Sequence, residues 1–252
     1  MRAPIARVER GLADLRGEPR SDAELVDQLR FGERVTLLAK RDDWSFVQAR
    51  EDHYFGWVRD GHVRETDEVP ADGVVSVALA SALAAPGGPS LFPLPAGTWV
   101  DLGAERAGLI RVRHPWVDLW VAATEVTRAR DLEARAPTCA DLSLAARAFV
   151  DVAYLWGGTS AQGIDCSGLV QLAHRLCGIV LTRDAAQQAT QGRAVTGEPR
   201  AGDLLFFGTP VTHVGIYTAG GLMLHASGGA GRVVEQPVSQ RGTAASVRRY
   251  LP

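Results

Sequence analysis

Asp165-Cys-Ser-Gly-Leu-Val-Gln-Leu-Ala-His-Arg-Leu-Cys-Gly178 decides how the second half of this chain folds. An aspartate that can accept a free amide hydrogen stands at one end, and a glycine able to adopt a left-handed conformation stands at the other. These are the start and stop signals of a helix. The reading places Cys166 in the first helical turn. Leu169, Val170, Ala173, Leu176 and Cys177 share its face, so the thiol should point inward. A helix start lowers a thiol pKa through its free amide donors and its dipole, and a neighbouring imidazolium lowers it further. A thiolate nucleophile is therefore expected at Cys166, with spare backbone donors nearby for an oxyanion. The alternative, a buried structural cysteine, is the common fate of a free thiol. It is the reading adopted for Cys139 and Cys177.

Downstream, Thr212-His213-Val-Gly-Ile-Tyr-Thr218 and Leu222-Met-Leu-His225-Ala226 flank Ala219-Gly220-Gly221. They read as two strands joined by a three-residue loop. That loop pairs Thr218 with Leu222 and Gly215 with His225, which puts both histidines on one face as diagonal neighbours. One ring can then face the thiol while the other orients it. A zinc site built from Cys166, His213 and His225 is the alternative, but no close Cys-x-x-Cys or His-x-x-x-His pair anchors one. No metal and no cofactor is called for. His53, His62, His114 and His174 are given no chemical role.

Upstream of the cysteine, Asp141 to Val152 has apolar residues at helical spacing, and a tight turn follows at Trp156-Gly157-Gly158. Beyond it, Asp203–Phe207, Val211–Thr218, Leu222–Ala226 and Arg232–Gln236 are strand candidates. Helices followed by antiparallel strands make an α+β domain.

The first half reads differently. Gly32-Glu-Arg-Val-Thr-Leu-Leu38 lines up with Gly97-Thr-Trp-Val-Asp-Leu-Gly103, and Trp44-Ser-Phe-Val47 with Leu109-Ile-Arg-Val112, both 65 residues apart. Gly56-Trp57-Val58 then matches Leu119-Trp120-Val121, with the tryptophans 63 apart. Short alternating segments between turn residues signal small all-β modules. Two SH3-like barrels are expected, at residues 1–68 and 69–130, the second divergent because it lacks the closing glycine. The charged stretch Thr127 to Pro137 reads as a linker to a third domain at 131–252.

The bulk composition removes several function classes. The chain has 27 Lys+Arg against 29 Asp+Glu and no dense basic run, so nothing favours nucleic acid. No apolar run reaches the roughly 18 residues of a membrane span. Three cysteines argue against a disulfide framework. The first ten residues lack the apolar core of a secretory signal. A cytoplasmic protein is expected, with an envelope or secreted location as the alternative. Oligomeric state is not legible.

Tyr154-Leu-Trp-Gly-Gly158, Gly163-Ile-Asp-Cys-Ser-Gly-Leu-Val170, Arg200-Ala-Gly-Asp-Leu-Leu-Phe206, His213-Val-Gly-Ile-Tyr217 and His225-Ala226, taken in order, resemble the NlpC family of papain-like cysteine peptidases. The resemblance implies Cys166 as nucleophile, His213 as base and His225 as orienting residue. Tyr154 would help hold the oxyanion, and Asp165 and Ser167 would contact substrate. The whole chain is similar to a branch in which two SH3-like barrels precede the catalytic domain. Such enzymes cleave the γ-D-glutamyl–diamino acid bond of murein peptides with a free N-terminal L-Ala. In that branch Glu24 and Tyr54 of the first barrel would meet the substrate amine. In Thr182-Arg183-Asp184-Ala185, Asp184 would lie near the amine and Arg183 near a substrate carboxylate. Relatives often carry a hydroxyl residue where Ala185 stands. The expected activity is an endopeptidase that recycles L-Ala-γ-D-Glu-diamino acid peptides, with Lys or diaminopimelate left open. The rivals are an envelope murein hydrolase with wall-binding barrels, a Cys/His acyltransferase or amidase, and a catalytically silent wall-binding module.

Overall fold

The repeat in the first half becomes two sheets of one topology. A computed structural model describes residues 3–66 and 71–251, so the boundary expected at 68/69 lies outside the described residues. β1 (Ile5–Val8), β2 (Leu12–Arg16), β3 (Leu25–Arg30), β4 (Arg34–Arg41), β5 (Trp44–Ala49), β6 (Phe55–Arg59) and β7 (Val63–Glu65) form one sheet in the order β3-β2-β6-β5-β4-β1-β7. β8 (Gly73–Val75), β9 (Leu79–Leu83), β10 (Ser90–Pro95), β11 (Trp99–Arg106), β12 (Leu109–Arg113), β13 (Leu119–Ala122) and β14 (Val126–Arg128) form another, in the order β10-β9-β13-β12-β11-β8-β14. Each strand of the first sheet has its counterpart seven strands later. A 3-10 turn precedes the last strand in both, at Asp60–His62 and Ala123–Glu125. Gly32 and Gly97 hold φ of +72° and +78° in the turns that lead into β4 and β11. Only glycine takes that conformation without strain, which is why this residue recurs. Where the second copy lacks the closing glycine, Leu119 is fully buried in its own core.

The two SH3-like barrels share a core residue. Phe31, in the turn after β3, is buried among Val75, Val100 and Leu119 of the second sheet, with its ring 5.3 Å from that of Phe92. Arg30 Nε donates to Ala96 O at 3.0 Å. Residues Met1–Ala134 accordingly make one unit and Arg135–Pro252 a second. The stretch expected to be a linker is instead structured. β14 pairs with β8, and α1 (Ala129–Glu133) follows it. Its charged side chains cover an edge strand and a short surface helix, a composition that resembles a linker in sequence.

In the second unit, α2 (Cys139–Arg147) starts two residues before the point its periodicity suggests. Thr138 caps it, and the Asp141 carboxylate accepts the Thr138 amide at 2.8 Å to close a capping box. β15 (Thr159–Ser160) and β16 (Gly163–Ile164) form a tight hairpin, and Asp165 then caps α3 (Cys166–Leu176). α4 (Ala185–Gln188) is a single turn. β17 (Arg193–Ala194), β18 (Leu204–Phe207), β19 (His213–Ala219), β20 (Leu222–Ser227), β21 (Arg232–Pro237) and β22 (Ser246–Arg249) form an antiparallel sheet in the order β17-β22-β18-β19-β20-β21. The sequence shows no sign of β17 and β22, which are short and carry exposed or half-buried arginines. α3 packs against α2 and against β19 and β20. It is buried on every side from Cys166 to Arg175, more than the single apolar face read from its sequence. Among the described residues no helix is long and apolar enough to cross a membrane.

Candidate active site

The start of α3 is fixed by a buried carboxylate. Asp165 Oδ1 accepts the Gly168 amide at 2.7 Å, and Oδ2 accepts that of Gly157 at 2.9 Å. Arg183 closes on the same carboxylate as a fork, with Nη1 to Oδ1 at 3.1 Å and Nη2 to Oδ2 at 2.6 Å. Its Nη1 also donates to Ser167 Oγ at 2.9 Å, and that hydroxyl donates to Asp165 Oδ1 at 3.1 Å. Arg183 is 1% exposed. The guanidinium placed near a substrate carboxylate by resemblance therefore spends its fork on Asp165, and the Ser167 hydroxyl is engaged in the same cluster. A charged group buried this deeply needs such a partner, and a two-pronged arginine–carboxylate pair is the strongest form available.

Cys166 lies at the first position of α3 and is 7% exposed. The amides of Ser167 and of Val214, the residue after His213, both point at its sulfur. Those donors favour a thiolate, and so does the charge of Arg183. Burial outweighs them, and the Asp165 charge adds to burial, so the thiol is pushed up to about 11. The helix-start argument predicted a lowered pKa because it counted the dipole and left out desolvation.

The histidine pair is closely joined. His213 Nε2 lies 2.6 Å from His225 Nδ1, with the rings edge to face. The hairpin loop differs from the expected one. Ala219 pairs with Leu222, so the loop is Gly220-Gly221, and a bulge between Tyr217 and Ala219 absorbs the extra residue. Tyr217 therefore still pairs with Met223 and Ile216 with Leu224, which keeps both histidines on one face. Gly215 lies opposite His225 in that register. A Cβ there would come within 3.3 Å of His225 Cβ, so the missing side chain leaves room for the two rings to meet. Burial pushes His213 down to about 3, helped by the Arg241 charge, and His225 down to about 4. At rest the site holds a thiol and neutral imidazoles. With His213 Nε2 facing His225, Nδ1 is its other ring nitrogen.

Tyr154 is half-buried and bridges to Ile164, with its ring 3.7 Å from the Cβ position of Gly228. Burial first, then the nearby Cys166 and Asp165, pushes its hydroxyl up to about 12, so it remains a donor. Asp184 is half-buried at the start of α4, where its amide donates to Gln187 Oε1 at 3.1 Å. Ala185 is buried behind it. In the first unit, Glu24 is exposed just before β3, and Tyr54 packs against the first barrel's core, its amide bonded to Asp52 Oδ1 at 3.0 Å. Sequence reasoning gave no role to Gln188, which is buried and donates to Ser167 O at 3.2 Å and Thr182 O at 2.8 Å. It also passed over Arg241. Among the described residues no group of three or more His, Cys, Asp or Glu could hold a metal ion.

A capped helix that presents a thiol to a sheet carrying two joined histidines is the architecture of the papain-like cysteine peptidases. Residues 151–250 match the NlpC/P60 family, and residues 15–63 match the bacterial dipeptidyl-peptidase Sh3 domain. The chain is 30% identical to a gamma-D-glutamyl-L-lysine dipeptidyl-peptidase of Bacillus subtilis over 82% of this chain and 73% of the relative. It is 28% identical to one of Bacillus cereus, over 91% and 76%. The crystal structure of an NlpC/P60 family protein from Bacillus cereus superposes with a TM-score of 0.89 at 25% identity, covering 98% of this chain and 100% of that one. This chain belongs to the NlpC/P60 family of cysteine peptidases.

Proposed function

We propose that this peptidase hydrolyses the γ-D-glutamyl–L-diamino acid bond of peptidoglycan-derived peptides that carry a free N-terminal L-Ala, as a step in recycling them. The contact between His213 and His225 on the face of β19 and β20, beside an amide aimed at Cys166 sulfur, carries the catalytic part of the reading. The names of the two Bacillus relatives and of the matching Sh3 domain support the substrate part.

In this reading His213 Nδ1 takes the Cys166 proton as sulfur bonds to the γ-carbonyl carbon. The Nε2 hydrogen of His213 donates to His225 Nδ1, which steadies the imidazolium. The carbonyl oxygen becomes an oxyanion held by the Tyr154 hydroxyl and by the Cys166 amide, the first-turn donor that neither Asp165 nor the sulfur engages. His213 then gives its proton to the leaving amine as the carbon–nitrogen bond breaks. Water attacks the thioester, again through His213, and restores the thiol. Asp165, Ser167 and Arg183 hold the helix start in place. Asp184 is assigned to the substrate amine.

Cleavage of L-Ala-γ-D-Glu-L-Lys and its diaminopimelate counterpart, but not of their N-acetylated forms, is the expected result. Equal cleavage of free and acetylated peptides would remove the free-amine requirement. Cleavage of intact sacculi in preference to the peptides would favour a wall hydrolase, and no cleavage of any of them would end the reading.

A further inference from the structure

The segment after β21 crosses the face of the sheet that carries the two histidines. Its ends are tied down, with the Val238 amide donating to Gly221 O at 2.8 Å and that of Ala245 to Phe206 O at 2.7 Å. Between them Val238 and Ala244 pack on Leu205, Phe207 and Met223. Phe207 pairs with His213, and Met223 is two residues from His225 on the same strand, so these residues share one face. Arg241 sits midway along this strap, just after a 3-10 turn, and its backbone is fixed by a 2.9 Å bond to Val238 O. Its side chain is exposed. Arg183, Arg249, Arg147 and Arg232 each face a carboxylate of the protein. Arg241 has no such partner among the described residues.

The strap therefore carries this guanidinium on the sheet face that holds His213 and His225, where its positive charge adds to burial in lowering both imidazoles. A lone cation on that face disfavours the imidazolium that the reaction must form. The hindrance disappears if an anion sits on the guanidinium when substrate is bound. Resting on the function proposed above, we infer that Arg241 binds a substrate carboxylate flanking the scissile bond. The lysine form of the proposed peptide offers two, the α-carboxylate of the γ-linked glutamate and the carboxylate of the lysine. A forked guanidinium suits either. The assignment also fills the role left open by Arg183, whose fork is turned inward.

The test compares wild type with Arg241→Gln and Arg241→Lys on three peptides: L-Ala-γ-D-Glu-L-Lys, its glutamate α-amide, and its lysine C-terminal amide. An amide that is not turned over is read as a competitive inhibitor. On the parent peptide, Arg241→Gln should lower kcat/KM roughly 10- to 100-fold, the worth of a hydrogen bond to a charged group, with Arg241→Lys retaining part of it. On one of the two amides the same variant should change binding or turnover less than about 3-fold, and that amide names the carboxylate. An unchanged parent rate, or an equal loss on all three peptides, would overturn the assignment while leaving the function standing. If wild type neither cleaves nor is inhibited by any of the three, the proposed function falls and this inference falls with it.

Discussion

Replacing Arg183 by leucine separates a structural guanidinium from a substrate-binding one. In the wild type the Asp165 carboxylate has five donors: the amides of Gly157 and Gly168, the Ser167 hydroxyl, and two guanidinium nitrogens at 2.6 and 3.1 Å. Arg183→Leu leaves the three neutral donors and removes the one cation paired with this carboxylate among the described residues. Breaking a buried ion pair from one side costs about 3–5 kcal/mol. The surviving donors offset part of that, so about 3 kcal/mol is expected. With a urea dependence near 1.5 kcal/mol/M, the unfolding midpoint should fall by roughly 2 M. Alkylation of the buried Cys177, read by mass spectrometry across a urea series, reports on opening of the unit that contains Arg183. The uncompensated Asp165 charge should also push the Cys166 thiol further up and slow its alkylation. Adding Asp165→Asn should recover part of the lost stability, because no unpaired charge then remains. A midpoint within about 0.3 M of wild type, with only peptide cleavage lost, would refute the reasoning and return Arg183 to the substrate.

Three further outcomes follow from the same geometry. His174, His213 and His225 are almost fully buried and lowered to between about 3 and 4, so the unfolded chain, with imidazoles near 6.5, binds protons first. Stability is intact above pH 6.5 and is lost as pH falls toward 4. At pH 5 each histidine costs roughly 2 kcal/mol, so calorimetry should show Tm dropping by more than about 10 °C between pH 7 and 5. A flat profile would contradict the neutral, buried rings. Gly215→Ala puts a methyl 3.0 Å from Met223 Sδ and 3.3 Å from His225 Cβ. The thioether can yield and the imidazole cannot without leaving His213, so kcat should fall at least about 10-fold with less than about 1.5 kcal/mol lost in stability. Tyr154→Phe removes the hydroxyl proposed to hold the oxyanion. Its kcat should fall roughly 100-fold with KM little changed, and an unaltered kcat would take the tyrosine out of the mechanism.

What could be read from the sequence was local or set by a hairpin. The ends of α3 depend on Asp165 and Gly178 alone, and cap chemistry acts over one turn. The histidine pairing was legible because a hairpin ties the two strands together. The expected three-residue loop and the observed two-residue loop with a bulge give the same register, so the loop could be misread without moving either ring. The partner of Asp165 was not legible. Arg183 follows it by 18 residues, and whether a long basic side chain turns to solvent or into the protein depends on tertiary burial. The same limit hid β14 and β22, whose charged residues look like loop until a neighbouring strand takes their backbone bonds. For Cys166 the local term pointed to a lower pKa, while desolvation and the Asp165 charge, both products of the packing, set the opposite sign.

That sign constrains how the reaction proceeds. A resting thiolate–imidazolium pair would need two charges in a place where burial holds the thiol near 11 and the imidazole near 3. Proton transfer is therefore best coupled to formation of the carbon–sulfur bond, so that negative charge appears on the carbonyl oxygen and not on sulfur. The donors proposed for that oxygen, the Cys166 amide and the Tyr154 hydroxyl, are fixed dipoles, which need no reorganisation when the charge arrives. The matching positive charge must appear on His213. His225 supports it through the 2.6 Å contact, while Arg241 opposes it across the same face. A substrate that brings its own carboxylate to Arg241 removes the opposition at the moment the proton moves. A peptide without one leaves it in place, so binding energy gained at the guanidinium would be expressed in the transition state as well as in the bound complex.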